Sequence, residues 1–187
     1  MRIAARTTLV ALLLTAHVAA TSFVPVSFTE LVTRADVIFV GDVTDVRPFA
    51  LESSAGTVIM TRVSFSVADP LFGTSSLVEV FDFLGGQIGD AGMRVAEMPQ
   101  FTVGERHVVF ARREQSINPI VGFSQGLLRV TRDGSGVERV QTLDRRPLAQ
   151  VESIGKATAV PAVSAAPMRL ADLRDRISTA LRQAGRR

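Results

Sequence analysis

Apolar and polar side chains alternate most cleanly over residues 59–67. There Ile59, Thr61, Val63, Phe65 and Val67 are interleaved with Met60, Arg62, Ser64 and Ser66. A period of two predicts a strand, because successive side chains of an extended chain point to opposite faces. Residues 77–84 repeat the pattern, with Val78 and Val80 on one face and Phe81 and Phe83 on the other. Residues 37–46 open with Val37-Ile38-Phe39-Val40, apolar on both faces, as suits a strand covered on each side. Gly41 interrupts that run and predicts a bulge or bend. His107-Val108-Val109-Phe110-Ala111 predicts a further strand, and residues 127–131 and 137–142 flank Asp133-Gly134-Ser135-Gly136 as a hairpin.

Two segments carry the helical period instead. Phe28, Leu31, Val32 and Ala35 share one face of a short helix, with Ser27 as N-cap and Glu30 completing a capping box. Over residues 168–183, Leu170, Leu173, Ile177, Ala180 and Leu181 form an apolar stripe, and Arg174, Asp175, Arg176 and Arg182 face away. The stretch between is rich in Ala, Val, Ser and Pro and predicts a flexible linker. The expected fold is mainly β: a small antiparallel OB-like barrel of five or six strands, with a short N-terminal helix and a separate C-terminal helix. The expected organisation is a leader over residues 1–20, a barrel domain over 21–150, a linker over 151–167 and an amphipathic helix over 168–187.

The leader follows from the order of charge and hydropathy. Arg2 and Arg6 precede an uncharged run containing Leu9-Val10-Ala11-Leu12-Leu13-Leu14, and Val18-Ala19-Ala20 offers small residues for cleavage before Thr21. This is the pattern of a secretory signal peptide, and its apolar run is too short to span a bilayer. The expected location is secreted or periplasmic, with cleavage near Ala20 and no stable membrane anchor afterwards. The chain has no cysteine, so disulfides and a lipid-modified cysteine at the cleavage site are both excluded. Removing the leader leaves 19 basic residues against 18 acidic ones, near neutrality. Without a basic cluster interleaved with aromatics, nucleic acid is not an expected partner.

Candidate chemistry is sparse. His107 is the one histidine after the leader; a barrel-wall histidine is the plainer reading than a general base. With one histidine and no cysteine, no metal site is expected, and no cofactor. Gly85-Gly86-Gln87-Ile88-Gly89 lacks the lysine and following helix of a phosphate loop, so a structural turn is expected. Asp133-Gly134-Ser135-Gly136 lacks the later ligands of a calcium loop. No Gly-x-Ser-x-Gly elbow occurs. Asp42, Asp45, Glu79, Asp82 and Glu105 would support a carboxylate-dependent hydrolase only if the fold paired them across a pocket. At Gly104-Glu105-Arg106, charges anchoring a corner compete with a recognition surface.

Several of these pieces occur together in a known group. Ala35-Asp36-Val37-Ile38-Phe39-Val40-Gly41-Asp42-Val43, then Val63-Ser64-Phe65-Ser66-Val67, Phe72-Gly73 and Phe101-Thr102-Val103-Gly104-Glu105-Arg106 resemble the conserved strands of netrin-like domains, the group that includes the tissue inhibitors of metalloproteinases. The resemblance covers roughly residues 28–131 and implies an OB-like barrel. Its inhibitors chelate the protease zinc through an N-terminal cysteine, which this chain lacks. A nearer likeness is to short, uncharacterised exported bacterial proteins of a cysteine-free type, through the Gly-Gly-x-x-Gly to Gly-Glu-Arg block and Gly122-Phe123-Ser124-Gln125-Gly126. That likeness carries no activity.

The expected function is an exported, non-enzymatic binding module for an unidentified exported protein, with modulation of a co-secreted protease as the version suggested by family analogy. The expected contacts are the loops over residues 85–100 and 111–126, with Gly85, Gly86, Gln87, Glu105, Arg106 and Gln125 as candidate contact residues. The alternatives are the carboxylate hydrolase and an envelope assembly component recruited through its C-terminal helix.

Overall fold

The computed structural model describes residues 24–54, 56–114, 117–156 and 166–186; the expected leader lies outside these. Helix α1 (Phe28–Arg34) begins as its local sequence dictates. Ser27 accepts a bond from the Glu30 amide, and the Glu30 carboxylate accepts one from the Ser27 amide at 2.9 Å. Eight strands follow: β1 (Val37–Ser53), β2 (Gly56–Phe72), β3 (Val78–Leu84), β4 (Gly86–Ile88), β5 (Ala91–Met93), β6 (Arg106–Ala111), β7 (Leu127–Arg132) and β8 (Glu138–Gln141). Helix α2 (Leu170–Gln183) ends the described chain apart from its cap.

Six strands form one antiparallel sheet in the order β3-β2-β1-β6-β7-β8, and β4 and β5 form a separate ribbon. Bulges punctuate the β1–β2 pairing, one of them between Val40 and Gly41. A side chain at Gly41 would meet the Ser66 carbonyl oxygen at 2.9 Å. Strand β2 runs past Asp69-Pro70, where the sequence predicts a turn. Pro70 is accommodated because β3 pairs only with residues 60–66 of β2, leaving the edge beside Pro70 without a strand that needs its amide.

The sheet is not closed into the expected barrel. Its edge strands are β3 and β8, and they do not pair. The β8 edge is occupied by the chain's own C-terminal region: the Val140 amide donates to the Met168 carbonyl at 2.9 Å, and Leu148 bonds both Val140 and Met168. On the other side, the loop after β6 reaches β3 through the Leu84 amide on the Ile117 carbonyl and Arg113 on Glu79.

Both sheet faces are buried where β1 and β6 lie. Ile38, Val40, Val108 and Phe110 face a core shared with Leu31 and Val32 of α1 and Leu170, Leu173, Ile177 and Leu181 of α2. Val37, Phe39, Val109 and Ala111 face the other way, against Val63, Phe65, Phe81, Phe83 and Met98. The continuous apolar runs of these strands therefore match cover on each side. Four members of the α2 stripe, Leu170, Leu173, Ile177 and Leu181, are buried in this core, and Ala180 packs against it partly exposed. Of the expected linker, residues 157–165 lie outside the described residues, but its beginning packs: Val151–Ser153 makes a 3-10 turn, and Val151 and Ile154 are buried.

Arg186 locks the two helices together. Its guanidinium donates to the carbonyls of Val32, Thr33 and Ala35 at 2.6–2.8 Å, capping the exposed end of α1, and lies 4.2 Å from the Phe72 ring centroid. Arg186→Ala is expected to lower stability by about 1–3 kcal/mol. Arg186→Lys should recover little of it, because an ammonium lacks the planar fork. Urea denaturation of the three proteins checks this, and an unchanged midpoint in Arg186→Ala refutes it.

Candidate functional site

Beyond Leu84 the chain turns through Gly85 and Gly86, whose φ values of 101° and 142° suit glycine. It then forms the β4–β5 ribbon and returns over Met98 and Phe101. This excursion leaves a groove of about 480 Å³ against the ends of β1, β2 and β3. Phe83 and Met98 are buried at its base, Val46, Met93, Val95 and Phe101 are half-buried in its walls, and Gln87, Arg94 and Gln100 are exposed at its rim. The Phe83 and Phe101 rings lie 4.7 Å apart, centroid to centroid, and fix the floor. Thr61 donates to the Gly85 carbonyl at 2.7 Å, tying the glycine turn to β2.

The Gly104-Glu105-Arg106 corner lies outside that lining. Gly104, at φ 89°, reverses the chain so that its amide bonds the Val43 carbonyl and the Glu105 carbonyl receives the Val43 amide. Arg106 forks onto Asp42 at 2.7 and 2.8 Å and also donates to Glu138, stitching β6 to β1 and to β8. The Arg106 bonds hold the Asp42 carboxyl below the usual range, and the same bonds push the guanidinium up. Glu105 pairs with Arg129, and its other oxygen lies 3.4 Å from Nε2 of His107. Burial pushes the Glu105 carboxyl up, but Arg129 and His107 outweigh burial and hold it below its ordinary value.

His107 is completely buried, with Phe101 edge-on to its ring at 6.1 Å. Burial drives its pKa down to about 4, against the pull of Glu105. The ring is therefore neutral at pH 7, screened from solvent and outside the groove lining.

The acids that would make a hydrolase each face a different arginine: Asp42 with Arg106, Asp45 with Arg47, Glu79 with Arg113, Asp82 with Arg62 and Glu105 with Arg129. None of the five lines the groove. Asp133 accepts bonds from the Ser135 amide and hydroxyl, the Val137 amide and Arg139, so its carboxylate organises the β7–β8 turn. Among the described residues no three His, Cys, Asp or Glu side chains are grouped to hold a metal. No helix among the described residues is long and apolar enough to cross a membrane.

The six candidate contact residues thus fall in three places. Gly85, Gly86 and Gln87 line the groove, although the Gln87 amide also closes its own turn by donating to the Gly89 carbonyl. Glu105 and Arg106 form the ion-paired corner. Gln125 lashes down the segment before α1, accepting from the Val26 amide at 2.8 Å and donating to the Val24 carbonyl. Sequence reasoning missed Met93, Arg94, Val95 and Gln100 as individual groove residues. Their signal was the run of apolar side chains, interrupted by Arg94, in a glycine-rich segment too irregular for strand or helix periodicity. No protein-family model matches the chain, and no curated protein and no solved structure matches it either.

Proposed function

We propose that this chain is an exported binding module that holds its ligand in the groove between the β4–β5 ribbon and the ends of β1–β3. The observation that carries the proposal is the groove itself: about 480 Å³, apolar at the base and polar at the rim. That is the size and lining typical of a binding site. The five acids engaged by separate arginines favour binding over carboxylate hydrolysis, and the buried, neutral His107 offers the groove no base. The hydropathy of residues 1–20 supports export. The netrin-like, OB-like resemblance agrees with a site made of loops at one end of a β scaffold.

Gly92→Trp tests the site. Gly92 lines the groove, and its first added carbon would meet nothing closer than 4.0 Å, so β5 has room for a side chain there, and an indole is expected to obstruct the mouth. Native mass spectrometry of protein recovered from its own exported fraction should show a bound mass on the wild type that Gly92→Trp lacks. The same bound mass on both proteins refutes the site, and a mature chain beginning at Met1 instead of Thr21 refutes export. Modulation of a co-secreted protease rests on the resemblance alone; unchanged proteolysis by co-exported metalloproteases across a wide range of added protein removes it.

A further inference from the structure

We infer that β3 pairs edge to edge with β3 of a second copy of this chain, about a two-fold axis that passes beside Val80. The inference does not depend on the groove.

The β2–β3 bonds fix which backbone groups are left over. The Val67 amide donates to the Leu77 carbonyl and the Gly85 amide to the Ile59 carbonyl, at the two ends of one unbroken register. In an antiparallel pair, positions bonded to the neighbour alternate with positions whose N–H and C=O point the other way. Glu79, Phe81 and Phe83 therefore bond β2, and Val78, Val80, Asp82 and Leu84 turn their backbone groups to the outer edge. The Leu84 amide is taken by the Ile117 carbonyl. The amides and carbonyls of Val78, Val80 and Asp82 have no partner among the described residues.

This open stretch is its own complement. Antiparallel pairing of two copies about residue 80 sets Val80 against Val80, and Val78 against the second copy's Asp82 at both ends alike. Each pair exchanges two bonds, so about six bonds satisfy every open group on both copies. That self-match is the argument for a second copy over an unrelated strand.

The side chains agree with the register. Val78 and Val80 are 53% and 47% exposed, and Leu77 and Ile117, at the two ends of the stretch, are 82% and 53% exposed. Under the two-fold, Leu77 of one copy lies opposite Phe83 of the other, next to the Leu84 that holds Ile117. Apolar side chains gathered along an unpaired edge mark an interaction surface. Charge offers no obstacle. Asp82 is held by Arg62 of its own chain at 2.8 Å, and its new neighbour is Val78. Glu79 points inward and is paired with Arg113. No lysine or proline guards the edge between Leu77 and Leu84.

Sedimentation equilibrium of the mature protein in low-salt buffer tests the pairing. So short a ladder belongs with the smaller interfaces, and half-dimerisation is expected at about 10–100 μM. Because residue 80 meets itself at the axis, Val80→Lys and Val80→Glu place like charges directly opposite each other. Each variant alone is expected to dimerise about tenfold or more weakly than the wild type. An equimolar mixture of the two is expected to dimerise again, now as a heterodimer with opposite charges facing. Val80 is half exposed and belongs to neither core, so both variants should melt with the wild type.

Three results overturn the inference. One is a wild type that stays monomeric up to about 1 mM, which would leave the edge to a strand of another protein. Another is a dimer that both variants retain undiminished. The third is a pair of variants that are monomeric alone and remain so when mixed.

Discussion

Ending the chain at Pro167 is expected to leave a protein that no longer unfolds cooperatively. The truncation removes four buried apolar side chains of α2, Leu170, Leu173, Ile177 and Leu181, from the core shared with α1 and the sheet. Burying a side chain of this kind contributes about 1.5–3 kcal/mol, so the four together match the whole net stability of an ordinary domain. The cut also strips Met168 from the β8 edge and Arg186 from the end of α1. Leu173→Ala isolates one part of this and should cost about 2–5 kcal/mol by leaving a cavity. Circular dichroism through a thermal melt reads both. A truncated protein that melts sharply, within a few degrees of the full chain, would show that α2 is dispensable. It would also revive recruitment of a partner through that helix, a role for which the structure leaves only the helix's polar face.

Acid should weaken the fold as soon as the pH drops below about 6.5. His107 is held near pKa 4 by burial, whereas in an unfolded chain it titrates near 6.5. Between those values the unfolded chain binds a proton that the folded chain refuses. Stability is therefore full above pH 6.5 and falls as the pH drops towards 4, by about 3 kcal/mol in total. The charged groups acting on the ring are Glu105 and Asp42, which favour the imidazolium, and Arg129, which opposes it. Glu105 and Asp42 are themselves held below their ordinary values, so their own losses come at lower pH. His107→Leu removes the titrating ring and keeps the Glu105–Arg129 pair. Its urea-derived stability should be nearly flat from pH 6.5 to 4.5, where the wild type declines. Parallel curves for the two proteins would mean that burial of His107 does not control this window.

Local signals in the sequence led to local structure. Ser27 and Glu30 specify the start of α1 by themselves, because a capping box needs only neighbours three residues apart. Asp133-Gly134-Ser135-Gly136 likewise forms its hairpin from bonds within the turn. The alternation at residues 59–67 places Val63 and Phe65 inward as expected. The groove was legible only in outline, as a glycine-rich loop beginning at Gly85. The β4–β5 ribbon has no alternation to betray it, and its glycines serve the backbone instead of a core. That Glu105 and Arg106 anchor a corner was among the readings of the sequence, but their partners, and those of Gln125, were not legible, since these lie 24 to 101 residues away in the chain. No local pattern encodes which distant acid an arginine meets.

By itself, the order of side chains determined that the chain forms antiparallel strands framed by two helices, because periodicity and caps act over a few residues. Only the tertiary structure decided that the sheet stays open, that α2 completes the core, and that the five acids stand apart. Those outcomes depend on contacts between residues far apart in the chain, which no local pattern encodes. At β8 the C-terminal region takes up the hydrogen bonds that a closing strand would have needed.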